Sequence, residues 1–122
     1  PYIYKTNDVE ILFGKNNLQN DKLTFSIAKK DDLFFHTKGY SGSHVILRSK
    51  YINDKNIEIS CKIALFLSNL YDGEIQFTEV KNVKKSNIKG LVHLLSYKVI
   101  YINKYDYLEI KQIISDSKKV IL

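Results

Sequence analysis

The chain has 122 residues, of which 44% are hydrophobic and 26% are charged, a composition typical of one soluble globular domain. No apolar run approaches the ~18 residues of a membrane-spanning helix, and the N-terminus lacks a signal-peptide pattern. The net charge of +6 and the pI near 9.3 favour a polyanionic partner. The chain is also rich in Ile, Asn and Tyr, a bias that accompanies Lys in some genomes, so the positions of the lysines must decide.

The first half of the chain predicts two strands, a helix and a hairpin. The segments "YIYK" and "VEILFG" are strand-like and flank the turn "TND". A helix is predicted over residues 17–29, because Leu23 and Ile27 are four apart and follow an Asn/Asp cluster suited to a helix N-terminus. The segments "LFFHT" and "HVILRS" then predict a hairpin with Gly39 and Gly42 in its connection.

The second half predicts a long helix, three strands and a final helix. The helix covers residues 54–70, with Asn53 or Asp54 as its cap. "EIQFTEV" alternates like a strand, and "LVHLLS" and "KVIYIN" predict a hairpin around Tyr97. "YDYLEIKQIIS" predicts a short amphipathic helix. The order ββαββαβββα indicates an α+β domain with a mainly antiparallel sheet and two principal helices.

Strand alternation places four cationic or hydrogen-bonding side chains on one face of the predicted hairpin. They are His36, Lys38, His44 and Arg48. Such a face would suit the phosphates or bases of RNA. The alternative is that both histidines are partly buried and hydrogen-bonded to the backbone.

A metal site is the third interpretation of the histidines. His36, His44, His93 and Cys61 could supply four ligands, but no pair of them has the spacing of a zinc site. We therefore predict neither a metal nor another cofactor. Cys61, the only cysteine, lies in an apolar stretch, so we expect a buried, reduced thiol in a cytoplasmic protein.

Two further segments are candidates for anion binding. In "GKNNLQND", residues 14–21, a glycine, a lysine and several amides precede the first predicted helix, where they would either bind an anion or cap the helix. The segment "VKNVKKSNIKG", residues 80–90, contains Lys81, Lys84, Lys85 and Lys89. Clustered lysines of this kind either form a solvated face or follow a phosphate backbone.

Catalysis has little support in the sequence. Ser41 and Ser43 are close to His44 along the chain, but no acidic residue is placed to orient that histidine. The paired carboxylates of Asp31 and Asp32 are explained by the end of a helix. We predict that the domain is not an enzyme.

Three blocks of sequence together resemble one known domain family. They are "FGKNNLQNDKLTFSIAKKDDLFFHTK", "GSHVIL" and "VKNVKK", and their order and spacing are similar to those of the NFACT-R domain, also called DUF814. The resemblance covers residues 9–102. It implies a non-catalytic RNA-binding module of a ribosome-associated quality control factor. Such a factor binds obstructed large (50S) ribosomal subunits and recruits tRNA for C-terminal alanine tailing, so the implied partners are tRNA, rRNA or both, and no membrane.

The residue patterns and the resemblance together predict thirteen RNA-binding positions. They are Lys15, Asn16, Asn17, Asn20, His36, Lys38, Ser43, His44, Arg48, Lys81, Asn82, Lys84 and Lys85. The chain departs from the family pattern where Gly39 and Ser41 replace an acidic residue and a proline, and where Phe34 replaces a tryptophan. These differences predict looser turns around the same donors.

Residues 1–122 are expected to form one NFACT-R-like domain excised from the C-terminal part of a longer protein. An older label for members of this family suggests a competing function, that of a fibronectin- or fibrinogen-binding surface adhesin.

Overall fold

In the computed structural model, which describes residues 1–120, the chain forms a seven-stranded sheet, a separate two-stranded sheet and three α-helices. The strands are β1 (Tyr2–Lys5), β2 (Glu10–Phe13), β3 (Leu33–Thr37), β4 (Val45–Leu47), β5 (Gly73–Glu79), β6 (Val83–Lys85), β7 (Val92–Leu94), β8 (Lys98–Ile102) and β9 (Lys118–Lys119). The helices are α1 (Asn17–Lys22), α2 (Asp54–Leu67) and α3 (Tyr107–Asp116). The predicted α+β class with a mainly antiparallel sheet is confirmed.

The seven-stranded sheet has the order β8-β5-β3-β4-β2-β1-β9, with every neighbouring pair antiparallel. Its central strands β2, β3 and β4 are buried on both faces and are therefore apolar on both sides. Phe35 and Leu47 pack beneath α2 and α3 in one core, whereas Phe34 and Ile46 lie in a second core on the other face. The second core is covered by the segment after α1 and by the β6–β7 hairpin, residues 83–94.

The predicted helix of residues 17–29 is shorter and irregular. Asn16 caps α1 by accepting a hydrogen bond from the Gln19 amide, and α1 ends at Lys22. A single π-helical turn, Leu23–Ile27, follows, and the Ala28 amide donates to the Leu23 carbonyl at 2.8 Å. Single π-turns of this kind often occur near functional sites.

The long helix α2 starts where it is predicted to start and ends earlier. Asn53 is its cap, accepting a hydrogen bond from the Asn56 amide at 2.8 Å. The helix ends at Leu67, three residues before the predicted end at residue 70. Asn69 has a φ of 59°, the left-handed conformation that commonly closes helices.

The predicted hairpin around Tyr97 is wrong. β7 pairs with β6 in the small sheet, and β8 pairs with β5 at the edge of the large one. Val92 and Leu94 pack in the second core, whereas Ile100 and Ile102 pack in the first. β7 therefore packs against one face of the large sheet, whereas β8 is part of that sheet and buries its apolar side chains on the opposite face. The two strands consequently do not pair. The sequence also did not predict β6 and β9 as strands.

Cys61 is buried, as predicted, and has no disulfide partner among the described residues. Burial, with a smaller contribution from Glu58, raises the pKa of its thiol to about 12. The thiol is therefore protonated and unreactive at neutral pH. Within residues 1–120, none of the helices has the length and apolar character needed to cross a bilayer.

Candidate nucleic-acid interface

His44 lies at the bottom of the candidate site, with no exposed surface. The Thr24 hydroxyl is 2.8 Å from its Nδ1, and the Gly90 carbonyl is 3.0 Å from its Nε2. A carbonyl can only accept, so Nε2 carries the proton and donates to Gly90, while Nδ1 accepts from Thr24. The imidazole thus joins the π-turn after α1 to the tip of the β6–β7 hairpin.

Burial is the main cause that lowers the pKa of His44 to about 4, and the neighbouring His36 lowers it further. The backbone groups of Gly90 and Asn20 and the carboxylate of Asp21 act in the opposite direction. His44 is therefore neutral at pH 7. A neutral ring matches the fixed donor and acceptor roles that its two partners impose.

His36 lies above His44 and is half-buried. The centroids of the two imidazoles are 5.9 Å apart in an edge-to-face arrangement, and the Phe34 ring stacks on His36 at 6.3 Å. Burial lowers the pKa of His36, and the nearby Gly42 backbone opposes part of this shift. The prediction that strand alternation places both histidines on one face is confirmed.

A cleft of about 450 Å³ opens over His36. Phe34 and His36 line it together with the loop 39–42, which connects β3 to β4, the N-terminus of α1 and the tip of the β6–β7 hairpin. The remaining lining residues are Asn17, Gly39, Tyr40, Ser41, Gly42, Gln76, Ile88, Lys89, Gly90, Leu91, Val92 and Leu94.

Four of the predicted RNA-binding side chains are withdrawn from the surface. His44, Asn20 and Ser43 are buried, and Arg48 has only 21% of its side chain exposed. The Asn20 side chain accepts a hydrogen bond from the His44 amide at 3.0 Å and donates to the Gly42 carbonyl at 3.3 Å. These contacts fix the loop 39–42 against α1.

Arg48 lies away from the cleft. Its guanidinium is 2.9 Å from the Asp32 carboxylate and 3.4 Å from Glu10. Asp32, predicted only to end a helix, also accepts from the amides of Lys29 and Ser49. The structure does not bring Arg48 together with the histidines.

The other predicted positions lie at or near the surface. Asn82 is half-buried and donates to the Thr78 hydroxyl at 3.0 Å, and the exposed Lys38 pairs with Glu74 at 3.8 Å. The remaining exposed positions are Lys15, Asn16, Asn17, Lys81, Lys84 and Lys85.

The side-chain amides of Asn16 and Gln19 form hydrogen bonds within the chain at the start of α1. Asn16 caps α1, and the Gln19 side chain accepts from the Lys15 amide at 3.0 Å. The structure thus shows the helix capping that was one alternative for this segment, and anion binding stays a prediction. Lys15 lies over the Tyr2 ring at 4.3 Å.

The β6–β7 hairpin and the short turn before it carry exposed lysines. Lys84 lies opposite His93 on the solvent side of the hairpin. Lys85 and Lys89 each approach the Asp21 carboxylate at 3.7 Å, and Lys81 approaches Glu79 at 3.6 Å. The Asp21 side chain is only 15% exposed, but the three lysine side chains are more than half exposed and all three contacts are longer than a hydrogen bond, so the ammonium groups remain accessible to other anions.

The geometry around the histidines does not resemble a metal site. Both ring nitrogens of His44 are engaged by Thr24 and Gly90, which leaves no free lone pair for a ligand bond. Within residues 1–120, no group of three or more His, Cys, Asp or Glu side chains is arranged to hold a metal ion.

Comparison with known proteins identifies the family to which the chain belongs. Residues 1–94 match the family model of the NFACT protein RNA binding domain. The chain belongs to this family. An RNA-binding module of this kind fits the prediction that the domain is not itself catalytic.

Relatives of this NFACT domain agree with the match. The Rqc2 homolog RqcH of Bacillus subtilis (strain 168) is 39% identical over 85 residues, which are 67% of this chain and 15% of that protein. The Rqc2 homolog RqcH of Streptococcus suis (strain 05ZYH33) is 54% identical over 46 residues, 38% of this chain and 8% of that protein. The chain therefore spans less than a fifth of the length of these curated relatives.

A solved structure shares the fold. It is the C-terminal part of the fibronectin/fibrinogen-binding protein from Streptococcus suis, with a TM-score of 0.80 and 31% sequence identity. The likeness covers 92% of this chain and 48% of that chain.

The sequence did not single out Gln76 and Tyr40, which line the cleft of the NFACT domain, or Thr24, which lies beneath the cleft against His44. Thr24 and Gln76 are ordinary polar residues within a helix-like and a strand-like pattern, and no local signal marks them. Tyr40 could have been noticed, since it is an aromatic residue between two glycines in a polar loop. Exposed aromatic residues beside cationic ones are typical of RNA-binding surfaces.

Two glycines of the cleft provide a matched test of its packing. Gly39 and Gly90 have φ values of 80° and 81°, so alanine is strained at both, by about 1–2 kcal/mol. A Cβ at Gly39 would meet no atom within 4 Å, whereas one at Gly90 would lie 2.7 Å from Asn17 Oδ1 and 3.0 Å from Asn17 Cβ. We expect Gly90→Ala to lower the free energy of unfolding by about 1 kcal/mol more than Gly39→Ala, measured by urea denaturation. Equal losses would mean that the hairpin tip does not depend on its contact with α1.

Proposed function

We propose that this domain binds tRNA, large-subunit rRNA or both for a cytoplasmic factor that acts on obstructed 50S subunits and supports C-terminal alanine tailing. The observation that carries the proposal is the match of residues 1–94 to the NFACT RNA-binding family. The Rqc2 homologs among the relatives support the placement in ribosome-associated quality control.

The charge distribution supports RNA as the partner. The chain has a net charge of +6, and the β6–β7 hairpin with its preceding turn presents Lys81, Lys84, Lys85 and Lys89 to solvent. Flexible ammonium groups on a hairpin suit phosphates, since they supply charge with little geometric discrimination. We assign the hairpin lysines to the RNA backbone.

The buried residues among the predicted RNA-binding positions hold the surface in place. Asn20 and His44 connect α1, the loop 39–42 and the hairpin tip through hydrogen bonds of 3.0–3.3 Å. They position the RNA-binding surface without touching the RNA. Arg48 lies away from the cleft and holds the chain around Asp32 through its ion pair with that carboxylate.

Crosslinking tests the proposal. The longer protein that carries this domain is crosslinked to ribosomes in cells, and the attached RNA is sequenced. We expect tRNA or large-subunit rRNA fragments, reduced in yield when Lys81, Lys84 and Lys85 are replaced by alanine. Recovery of messenger RNA alone, or an unchanged yield from the variant, would contradict the proposal.

The structural neighbour from Streptococcus suis favours a second candidate function, that of an adhesin, because it is a fibronectin/fibrinogen-binding protein. A pulldown with this domain compares ribosomal RNA from a bacterial lysate with purified fibronectin and fibrinogen. We expect enrichment of RNA that is lost at high salt. Retention of fibronectin or fibrinogen without RNA would favour the adhesin.

A further inference from the structure

We propose that the cleft above His36 holds one unstacked nucleobase of single-stranded RNA. The inference rests on the proposed RNA binding and assigns the hairpin lysines to phosphates and the cleft to a base. RNA-binding proteins commonly read bases that leave the stack, by stacking them on aromatic or apolar side chains and by bonding to their edges.

The walls of the cleft suit a flat, weakly polar ring. Tyr40, on the loop 39–42, has 54% of its surface exposed at the rim, although it is a large aromatic residue. Ile88 and Leu91, at the tip of the β6–β7 hairpin, are also more than half exposed. The apolar groups of loop and hairpin thus line one concave site, and a base between them would cover surface that is otherwise left in water.

Polar groups converge on the floor of the same cleft. Gln76 on β5 lies opposite His36 in the strand register, and Asn17 reaches the cleft from α1. The lowered pKa of His36 leaves a neutral imidazole, of which one nitrogen contacts the Gly42 backbone and the other can meet a base, and each amide offers a donor and an acceptor. Groups of this kind match the edges of a base, which present donors and acceptors but no net charge.

A cation at the rim links the cleft to the RNA backbone. Lys89 lines the cleft, its side chain is 66% exposed, and it approaches the Asp21 carboxylate at 3.7 Å. The Asp21 side chain is only 15% exposed, but the contact is longer than a hydrogen bond and the Lys89 ammonium faces solvent, so it can also contact a phosphate. Because the other hairpin lysines continue along the same element, the cleft suits a base within a chain better than a free nucleotide.

The test uses two single-stranded RNA 10-mers with the same number of phosphates, one intact and one in which every residue is abasic. We expect Tyr40→Ala to weaken binding of the intact RNA about tenfold and to leave binding of the abasic RNA unchanged. The triple replacement of Lys81, Lys84 and Lys85 by alanine should weaken both RNAs alike. Tyr71→Ala is the matched control, since Tyr71 is 59% exposed and lies outside the cleft. Thermal melting of each variant checks the fold.

Four results would overturn the assignment. If Tyr40→Ala weakens binding of both RNAs equally, or weakens binding of neither, the cleft does not hold a base. RNA binding by the lysines would still stand. Binding of free mononucleotides as tight as that of the 10-mer would make the cleft a nucleotide site. Failure of the wild-type domain to bind either RNA would refute the proposed function itself, and this inference with it.

Discussion

Replacement of Lys81, Lys84 and Lys85 by alanine is expected to flatten the slope of log K against log salt concentration by about 2 to 3. Each phosphate contact releases condensed counterions and contributes roughly 0.7 to 0.9 to that slope. All three side chains are exposed. The pair of Lys81 with Glu79, at 3.6 Å, is exposed and weak, and the contact of Lys85 with the less exposed Asp21, at 3.7 Å, is longer than a hydrogen bond. The measurement is a salt titration of binding on two RNAs of unrelated sequence.

A second triple variant controls for net charge. Lys55, Lys104 and Lys111 are exposed residues outside the β6–β7 hairpin, on or next to the elements that cover the other face of the large sheet. Replacing them by alanine changes the charge by the same amount, and we expect a much smaller change of slope. Equal slopes for the two triple variants would mean that the hairpin has no special role. A loss confined to one of the two RNAs would mean that the lysines read sequence.

Acidification from pH 6.5 to pH 4 is expected to lower the free energy of unfolding by about 3 kcal/mol through His44 alone. The unfolded chain binds a proton at this residue below its ordinary pKa of 6.5, whereas the folded chain does so only near 4. The contribution of His44 to the free energy of unfolding is therefore complete above pH 6.5 and is lost progressively as the pH falls from 6.5 to 4. His36, whose pKa is also lowered, contributes in the same direction.

A pair of glutamine variants isolates this effect. His44→Gln removes the titrating group, and we expect urea unfolding across this pH range to depend much less on pH than in the wild type. The variant should also lose about 1–3 kcal/mol at pH 7, because the Thr24 hydroxyl loses its buried acceptor. His93→Gln, at an exposed position on the β6–β7 hairpin, should follow the wild-type curve. Parallel curves for wild type and His44→Gln would contradict the role of the buried ring.

Features of the fold that depend on nearby residues could be predicted from the sequence. Two short apolar runs joined by a glycine-containing connection located β3 and β4, and the Asn53 cap with its apolar stripe located α2. The burial of Cys61 followed from its apolar surroundings. These features depend on residues that are close together in sequence, either in a short apolar run between turns or in an apolar stripe with a period of 3.6 residues.

Part of the candidate site was predictable for the same reason. Once β3 and β4 pair as a hairpin, alternation places His36 and His44 on one face, and the polar segment of residues 80–90 places its lysines at the surface. Alternation cannot tell what covers that face. The sequence therefore left open whether the histidines meet RNA or are buried.

The sequence alone determined the α+β class, the two paired histidines and the basic character of the surface, whereas the tertiary structure decided which groups remain accessible. His44 is buried because Gly90, 46 residues away, bonds to its ring, and β7 pairs with β6 because the second core needs Val92 and Leu94. The cleft itself forms between four segments that are distant along the chain. Such contacts form because whole apolar faces of the sheet become buried. The local pattern of residues along the chain does not show which segments will cover those faces.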